Sequence, residues 1–91
     1  RGRTVRPEAS EEPLSAALHL RGATVAEALP MVEKYLNQAF TQGLPRVRIV
    51  HGIGSGRLRD SIAELLGHHP LVRRFQAGDA NGGTTIVELE G

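Results

Sequence analysis

Val47-Arg48-Ile49-Val50-His51-Gly52-Ile53-Gly54-Ser55-Gly56-Arg57-Leu58-Arg59 is the stretch that decides how this chain folds. A short apolar run reads as a strand and ends in a histidine. Three glycines then alternate with Ile53 and Ser55, and a helix opens on two arginines. A strand, a glycine loop and a helix start bring free backbone N–H groups and the positive end of a helix dipole to one place, which favours an anion. The first turn of a helix ordinarily prefers Asp or Glu. Arg57 and Arg59 stand there against that preference, so a negative group is expected to neutralise them, and phosphate is the obvious one. Gly52, Gly54, Ser55, Gly56, Arg57 and Arg59 form the candidate phosphate cradle.

On either side of this segment the periodicity places the other elements. Arg46 to Val50 is the strand, with Val47 and Ile49 facing one way. The helix runs from about Gly56 to Gly67, capped by Ser55, and buries Leu58, Ile62, Leu65 and Leu66. Upstream, Thr24-Val25-Ala26-Glu27 is a capping-box pattern that starts a longer helix. Val25, Leu29, Val32, Leu36 and Phe40 recur there at helical spacing, Pro30 predicts a small kink, and Gly43 ends the run. Ala16 to Leu20 reads as a first strand, with Ala17, His19 and Arg21 alternating onto the face opposite Leu18 and Leu20. Pro70 stops the second helix. Leu71 to Gln76 then reads as a third strand, residues 78–83 as a hairpin loop, and Thr84 to Leu89 as the last strand.

The order βαβαββ predicts an α/β domain of the α+β two-layer sandwich kind. Strands joined by helices are expected to run parallel, and the last strand antiparallel by hairpin, giving a mixed four-stranded sheet. Two helices cover only one face of such a sheet. His19, Arg21, Arg46 and Arg48 alternate onto the other face, which is expected to be open and basic.

Composition narrows the class. With 91 residues the chain is one domain, and with no Trp, one Tyr and two Phe its core must be mostly aliphatic. The net charge of +1 hides an asymmetry: between Arg46 and Arg74 six arginines meet only Asp60 and Glu64. Arg supplies ten of the eleven basic residues, the type suited to forked phosphate contacts. The absence of Cys excludes a disulfide framework and thiolate zinc sites. There is no signal-peptide core and no apolar run long enough for a membrane span, so the expectation is a cytoplasmic protein without a membrane partner. Residues 1–13, rich in charge and proline with Val5 as the only large apolar side chain, read as a flexible linker, leaving 14–91 as the folded domain. Beginning at Arg1 rather than Met, the chain reads as a fragment of something larger.

Two segments resemble a known family. Leu18-His19-Leu20-Arg21-Gly22, followed by His51-Gly52-Ile53-Gly54-Ser55-Gly56-Arg57-Leu58-Arg59, resembles the paired motifs of the small MutS-related (Smr) domain. The long first helix and the closing Thr85-Ile86-Val87-Glu88-Leu89 strand are similar too. The resemblance covers residues 14–90 and is strongest to the version found at the C-terminus of the MutS-like ATPases that suppress recombination. It implies a sandwich like the C-terminal domain of a bacterial translation initiation factor. It also implies binding of DNA or RNA with endonuclease activity, and a parent protein that uses ATP, is homodimeric, and takes part in suppressing recombination or rescuing collided ribosomes. The isolated domain is expected to be monomeric. Two positions depart from the family pattern: His19 stands where an Asp is usual, and Ile53 where a Lys is frequent.

The residues themselves permit the following chemistry. His51, at a strand end beside the loop, can act as general acid or base, or can be a structural histidine hydrogen-bonded at that end. Arg21 and backbone N–H groups can stabilise a phosphorane. His19, on the same face as Arg21, can supply a second proton-transfer group, or can simply be an exposed strand residue. The catalytic candidates are therefore His51, Arg21 and His19, with Arg46 and Arg48 added to the phosphate-binding set. Metal-assisted hydrolysis normally needs clustered carboxylates, and only Asp60 and Glu64 are near, both on the helix beyond the loop. No metal ligand set and no cofactor are assigned to this domain, although a divalent metal stays open; metal-free chemistry would favour RNA, whose 2′-OH is an internal nucleophile. The loop lacks the Gly-Lys-Ser/Thr ending of a nucleotide-binding P-loop. Ser55 with His51 has no orienting acid for nucleophilic catalysis, and His68-His69 has no third metal ligand. The alternative to a nuclease is a non-catalytic module that binds DNA, RNA or the ribosome.

Overall fold

Residues 16–90 are described by the structure, a computed structural model; the linker assigned to 1–13 lies outside them. The elements follow the order β1 (Ala17–His19), α1 (Val25–Thr41), β2 (Arg46–Val50), α2 (Arg57–His68), β3 (Val72–Ala77) and β4 (Thr84–Leu89).

The four strands form one mixed sheet in the order β1-β2-β4-β3. β1 pairs parallel with β2, placing His19 opposite Val50, while β4 runs antiparallel to both β2 and β3. β2 and β3, joined through α2, thus share a direction but are not neighbours. The hairpin strand β4 takes the central place between them, with its Thr85, Val87 and Leu89 buried on one face. Arg73 is the extra residue of a bulge between Val72 and Arg74.

Alternation sorts the sheet into two faces. Leu20, Val47, Ile49, Val87 and Leu89 are buried against the helices, which contribute Ala28, Val32, Tyr35, Leu36 and Ala39 from α1 and Ile62 and Leu66 from α2. Apart from Tyr35 this core is aliphatic, and burial pushes the Tyr35 phenol pKa up. α1 begins with the expected capping box: the Thr24 hydroxyl accepts from Glu27 N–H at 3.1 Å, and Glu27 Oε1 accepts from Thr24 N–H at 3.0 Å. The helix runs through Pro30 to Thr41. Its buried stripe is not centred as the apolar spacing predicts. Phe40 is 42% exposed, and the fully buried positions include Ala28 and Ala39, whose small side chains let the helix lie close to the sheet.

The second helix is capped differently from the expectation. Gly56, not Ser55, is the cap residue, at φ 88°, a left-handed conformation that glycine adopts without strain. The Ser55 hydroxyl instead accepts from Arg57 N–H at 3.3 Å, two residues along. Where α2 ends, the buried His69 ring accepts from Leu71 N–H through Nδ1 at 3.1 Å. Its Nε2 lies 3.2 Å from Glu33 Oε1 on α1 without forming a hydrogen bond to it.

Candidate functional site

β1 and β2 run side by side and end together, so the Arg21 and His51 segments meet at one edge of the sheet. The glycine loop 51–56 leaves β2 there and divides two depressions. The inner one, about 590 Å³, lies on the helix side; the starts of both helices (Thr24, Val25, Ala26 and Arg57, Leu58) line it with His51 and the loop. The outer one, about 380 Å³, lies toward the open face and is lined by Arg21, Val50, Gly52 to Gly54, Asp79, Asn81, Gly83 and Thr84.

His51 continues the alternation of Val47 and Ile49 and so turns to the helix side. It is 4% exposed. Its Nε2 lies 2.9 Å from Thr85 Oγ1 and its Nδ1 lies 3.0 Å from the Gly52 carbonyl. A carbonyl only accepts, so Nδ1 carries the proton; in the neutral ring Nε2 accepts from the Thr85 hydroxyl. Both ring nitrogens are thus engaged in holding the loop to β4. Two more bonds do the same work, since the N–H groups of His51 and Gly52 both donate to the Gly83 carbonyl at 3.0 Å. His19 is exposed on the opposite face of the sheet, in register with Val50. The two histidines therefore do not face one another.

Arg21 is exposed and lies across the loop. A Cβ on Gly52 would sit a tight 3.3 Å from Arg21 Cγ, and Gly52 has φ 81°, a backbone conformation that favours glycine. Arg59 reaches back from α2 in a similar way: a Cβ on Gly56 would be 3.0 Å from its Nη2, and one on Gly82 3.4 Å from its Nη1. Its guanidinium spans from the glycine loop to the β3–β4 loop, while its Nε donates to the exposed Asp60 at 3.3 Å. Arg57 lines the inner depression. Asp60 N–H is the first in α2 to bond back, to the Gly56 carbonyl; the N–H groups of Leu58 and Arg59 precede it, as at any helix start.

The structure thus gathers Arg21, His51, Gly52, Gly54, Ser55, Gly56, Arg57 and Arg59 at one edge, with His19 paired in register with Val50, which lines the outer depression. It does not bring Arg46 there. Arg46 stands at the other end of β2, about 13 Å of strand away, opposite Glu88, which also accepts from Arg74 Nε at 2.9 Å. Arg48 lies between, opposite Ile86. The open face is accordingly a mixture of arginines, Glu88 and the half-buried Val50 and Ile86 rather than uniformly basic. Among the described residues no three His, Asp or Glu side chains are grouped to hold a metal ion, and no helix is long and apolar enough to cross a membrane.

Sequence reading missed Asp79. Its Oδ1 accepts from Gly82 N–H at 2.8 Å and Gly83 N–H at 3.0 Å, and so sets the Gly83 carbonyl that anchors the glycine loop. The signal was present in Asp79-Ala80-Asn81-Gly82-Gly83, because an Asp followed by glycines is a side-chain-closed turn. Desolvation pushes this carboxyl up, but bonds from Gly83 N–H, the Thr84 hydroxyl and the Gly82 and Asn81 N–H groups outweigh it and hold the pKa below the ordinary 3.8. The unfolded chain therefore takes up this proton first. The contribution is fully present above pH 3.8 and is lost as pH falls through the lower folded value. The protection of the Gly82 and Gly83 amides, measured by hydrogen exchange against the intrinsic rate at each pH, should hold at pH 5 and be lost only as pH falls through that window. An Asp79→Asn protein should show no such acid step, and Asp79→Ala should lack the protection at every pH; a wild-type step above pH 5 would contradict this account.

The comparisons with known proteins agree with this architecture. The chain is 49% identical over 76 residues to an endonuclease MutS2 of Thermomicrobium roseum, covering 80% of this chain and 10% of that protein. It is 46% identical over 80 residues to a putative endonuclease MutS2 of Bacillus subtilis, covering 85% and 10%. The chain thus spans about a tenth of the length of these relatives. Among solved structures, the Smr domain of Thermus thermophilus MutS2 superposes with a TM-score of 0.81 at 37% identity, covering 86% of this chain and all of that one. YdaL, a stand-alone small MutS-related protein from Escherichia coli, gives 0.78 at 27% identity, covering 87% of this chain and 67% of that one. The Smr domain profile itself matches residues 18–90, and with the fold and both motif segments in place the chain belongs to the Smr domain family.

Proposed function

We propose that this domain binds the phosphodiester backbone of nucleic acid at the glycine loop and cleaves it there, as the endonuclease domain of a larger protein. The observation that carries the reading is the convergence of Arg21, Arg57 and Arg59 on a rigidly anchored glycine loop at a helix start. Its family membership and relatives named as endonucleases support the cutting step. In this reading the loop and the arginines hold the scissile phosphate. Arg21 stabilises the charge that develops on it. His19, exposed and in register with Val50, is available for proton transfer; His51 is available only when its bond to Thr85 opens. Among the described residues no carboxylates cluster near the loop to hold a metal ion, so the cleavage is proposed to be independent of a divalent metal and faster on RNA than on DNA.

A second reading, binding without cutting, draws on one specific observation: His51 is buried with both ring nitrogens occupied, and residue 19 is not an acid. Plasmid nicking and labelled-RNA cleavage by the wild type, His19→Ala, Arg21→Ala and His51→Ala proteins separate the two. Equal trace activity in all four would assign the activity to a contaminant and leave the binding module. Loss of cleavage in EDTA with recovery in Mn²⁺ would remove the metal-independent mechanism.

Affinity follows from the number of cations at the loop. Three arginines meeting phosphates give a log–log salt slope of about −3 on duplex DNA, with little sequence dependence. Binding by the isolated domain is then weak. In a longer parent, proposed to be a homodimeric ATPase, tethering raises the effective concentration at a DNA, RNA or ribosomal target. A slope near zero would show that the arginines do not meet phosphate.

A further inference from the structure

Ile53 is 59% exposed, more than Met31 or Phe40, the other exposed large apolar residues among those described. Those two lie on α1. Ile53 alone stands at the candidate site, at the tip of the glycine loop between Gly52 and Gly54, whose φ values of 81° and 44° turn the chain on either side of it. Its Cγ1 would lie 3.6 Å from a Cβ on Gly83, so the side chain leans toward the β3–β4 loop, and it borders both depressions.

A single exposed isoleucine on an ordinary surface needs no explanation. This one is different in its company. Every other residue of the loop between His51 and Arg57 is glycine or serine, and the neighbouring side chains Arg21, Arg57 and Arg59 are cations. A ligand that satisfies the whole arrangement carries phosphate together with a flat apolar face. A nucleotide whose base has left the stack does so. A duplex does not, because it hides base faces and offers only edges in its grooves; opening it costs a few kcal/mol per step.

We propose, resting on the phosphate-binding reading above, that Ile53 makes this site selective for nucleic acid with an unstacked base. The backbone follows Arg21, Arg57 and Arg59, and the face of one base packs on Ile53. Because every base has such a face, the contact tolerates sequence. Ile53 is thus a specificity residue, and the site prefers single strands to intact duplex.

The test uses the 91-residue chain, a labelled single strand of about 12 nucleotides, and a blunt duplex of the same sequence. Wild type should bind the single strand more tightly, and a 2-aminopurine placed in the strand should brighten as it unstacks. Ile53→Ala should bind the single strand about five- to tenfold more weakly, lose the brightening, and leave duplex affinity, salt slope and melting temperature unchanged. Ile53→Lys should gain duplex affinity with a salt slope steeper by about 1. If Ile53→Ala weakens both substrates equally or neither, while wild type still binds with its salt slope, the role of Ile53 is overturned and the phosphate-binding reading stands. Absence of any salt-dependent binding by wild type overturns both.

Discussion

An Arg21→Ala protein should cleave about 10²–10³-fold more slowly than wild type while melting at nearly the same temperature. The rate loss is the effect expected when one preorganised donor to a developing oxyanion is removed. The small stability effect follows from the position. Arg21 is exposed beyond the end of β1, and among the described residues no carboxylate lies within ion-pair distance of it. What it touches is Gly52, across which its stem lies. Arg21→Lys should recover binding but only part of the rate, because an ammonium keeps the charge and loses the forked geometry that matches two phosphate oxygens. Single-turnover cleavage at saturating protein separates rate from affinity. A full rate in Arg21→Ala at saturation would reduce Arg21 to a binding residue.

The elements of this fold were legible because they are local. Helical spacing and a capping box placed α1, and the glycine-rich hairpin loop before it placed β4 at its observed bounds. What was not legible depends on contacts distant in sequence. The insertion of β4 between β2 and β3 is a pairing between segments distant in sequence, which a linear pattern does not show. Phe40 satisfied the helical period but fell outside the face that small alanines bring against the sheet. The candidate site divides in the same way. The glycine loop and its arginines are contiguous and could be read directly. Asp79 and Thr85 act on it from a hairpin about thirty residues later, and Arg46 shares its alternation yet stands at the wrong end of the strand. The direction of His51 was within reach, since continuing the Val47–Ile49 alternation by one step turns it toward the helices.

That direction sets the second large effect. His51→Ala should destabilise the domain by about 2–4 kcal/mol, because it empties a buried volume and leaves the Thr85 hydroxyl and the Gly52 carbonyl without their partner. For a domain of this size that is a fall of roughly 10–20 °C in melting temperature. Cleavage should fall with it, so this variant alone does not tell an anchor from a proton-transfer group. His51→Gln does. Its amide can keep the bond to Thr85 but takes no proton near neutral pH. If His51 acts by anchoring the loop, the Gln protein should regain most of the stability, the salt-dependent binding and the cleavage together. If His51 itself moves a proton, the Gln protein should fold and bind yet cleave about 10²–10⁴-fold more slowly. The burial of the ring and its two short contacts favour the anchor. Thr85→Val supplies the independent check. It removes the hydroxyl while keeping the imidazole, so under the anchor account it should loosen the loop and weaken binding. Under the proton-transfer account it should free Nε2 and leave cleavage intact or raise it.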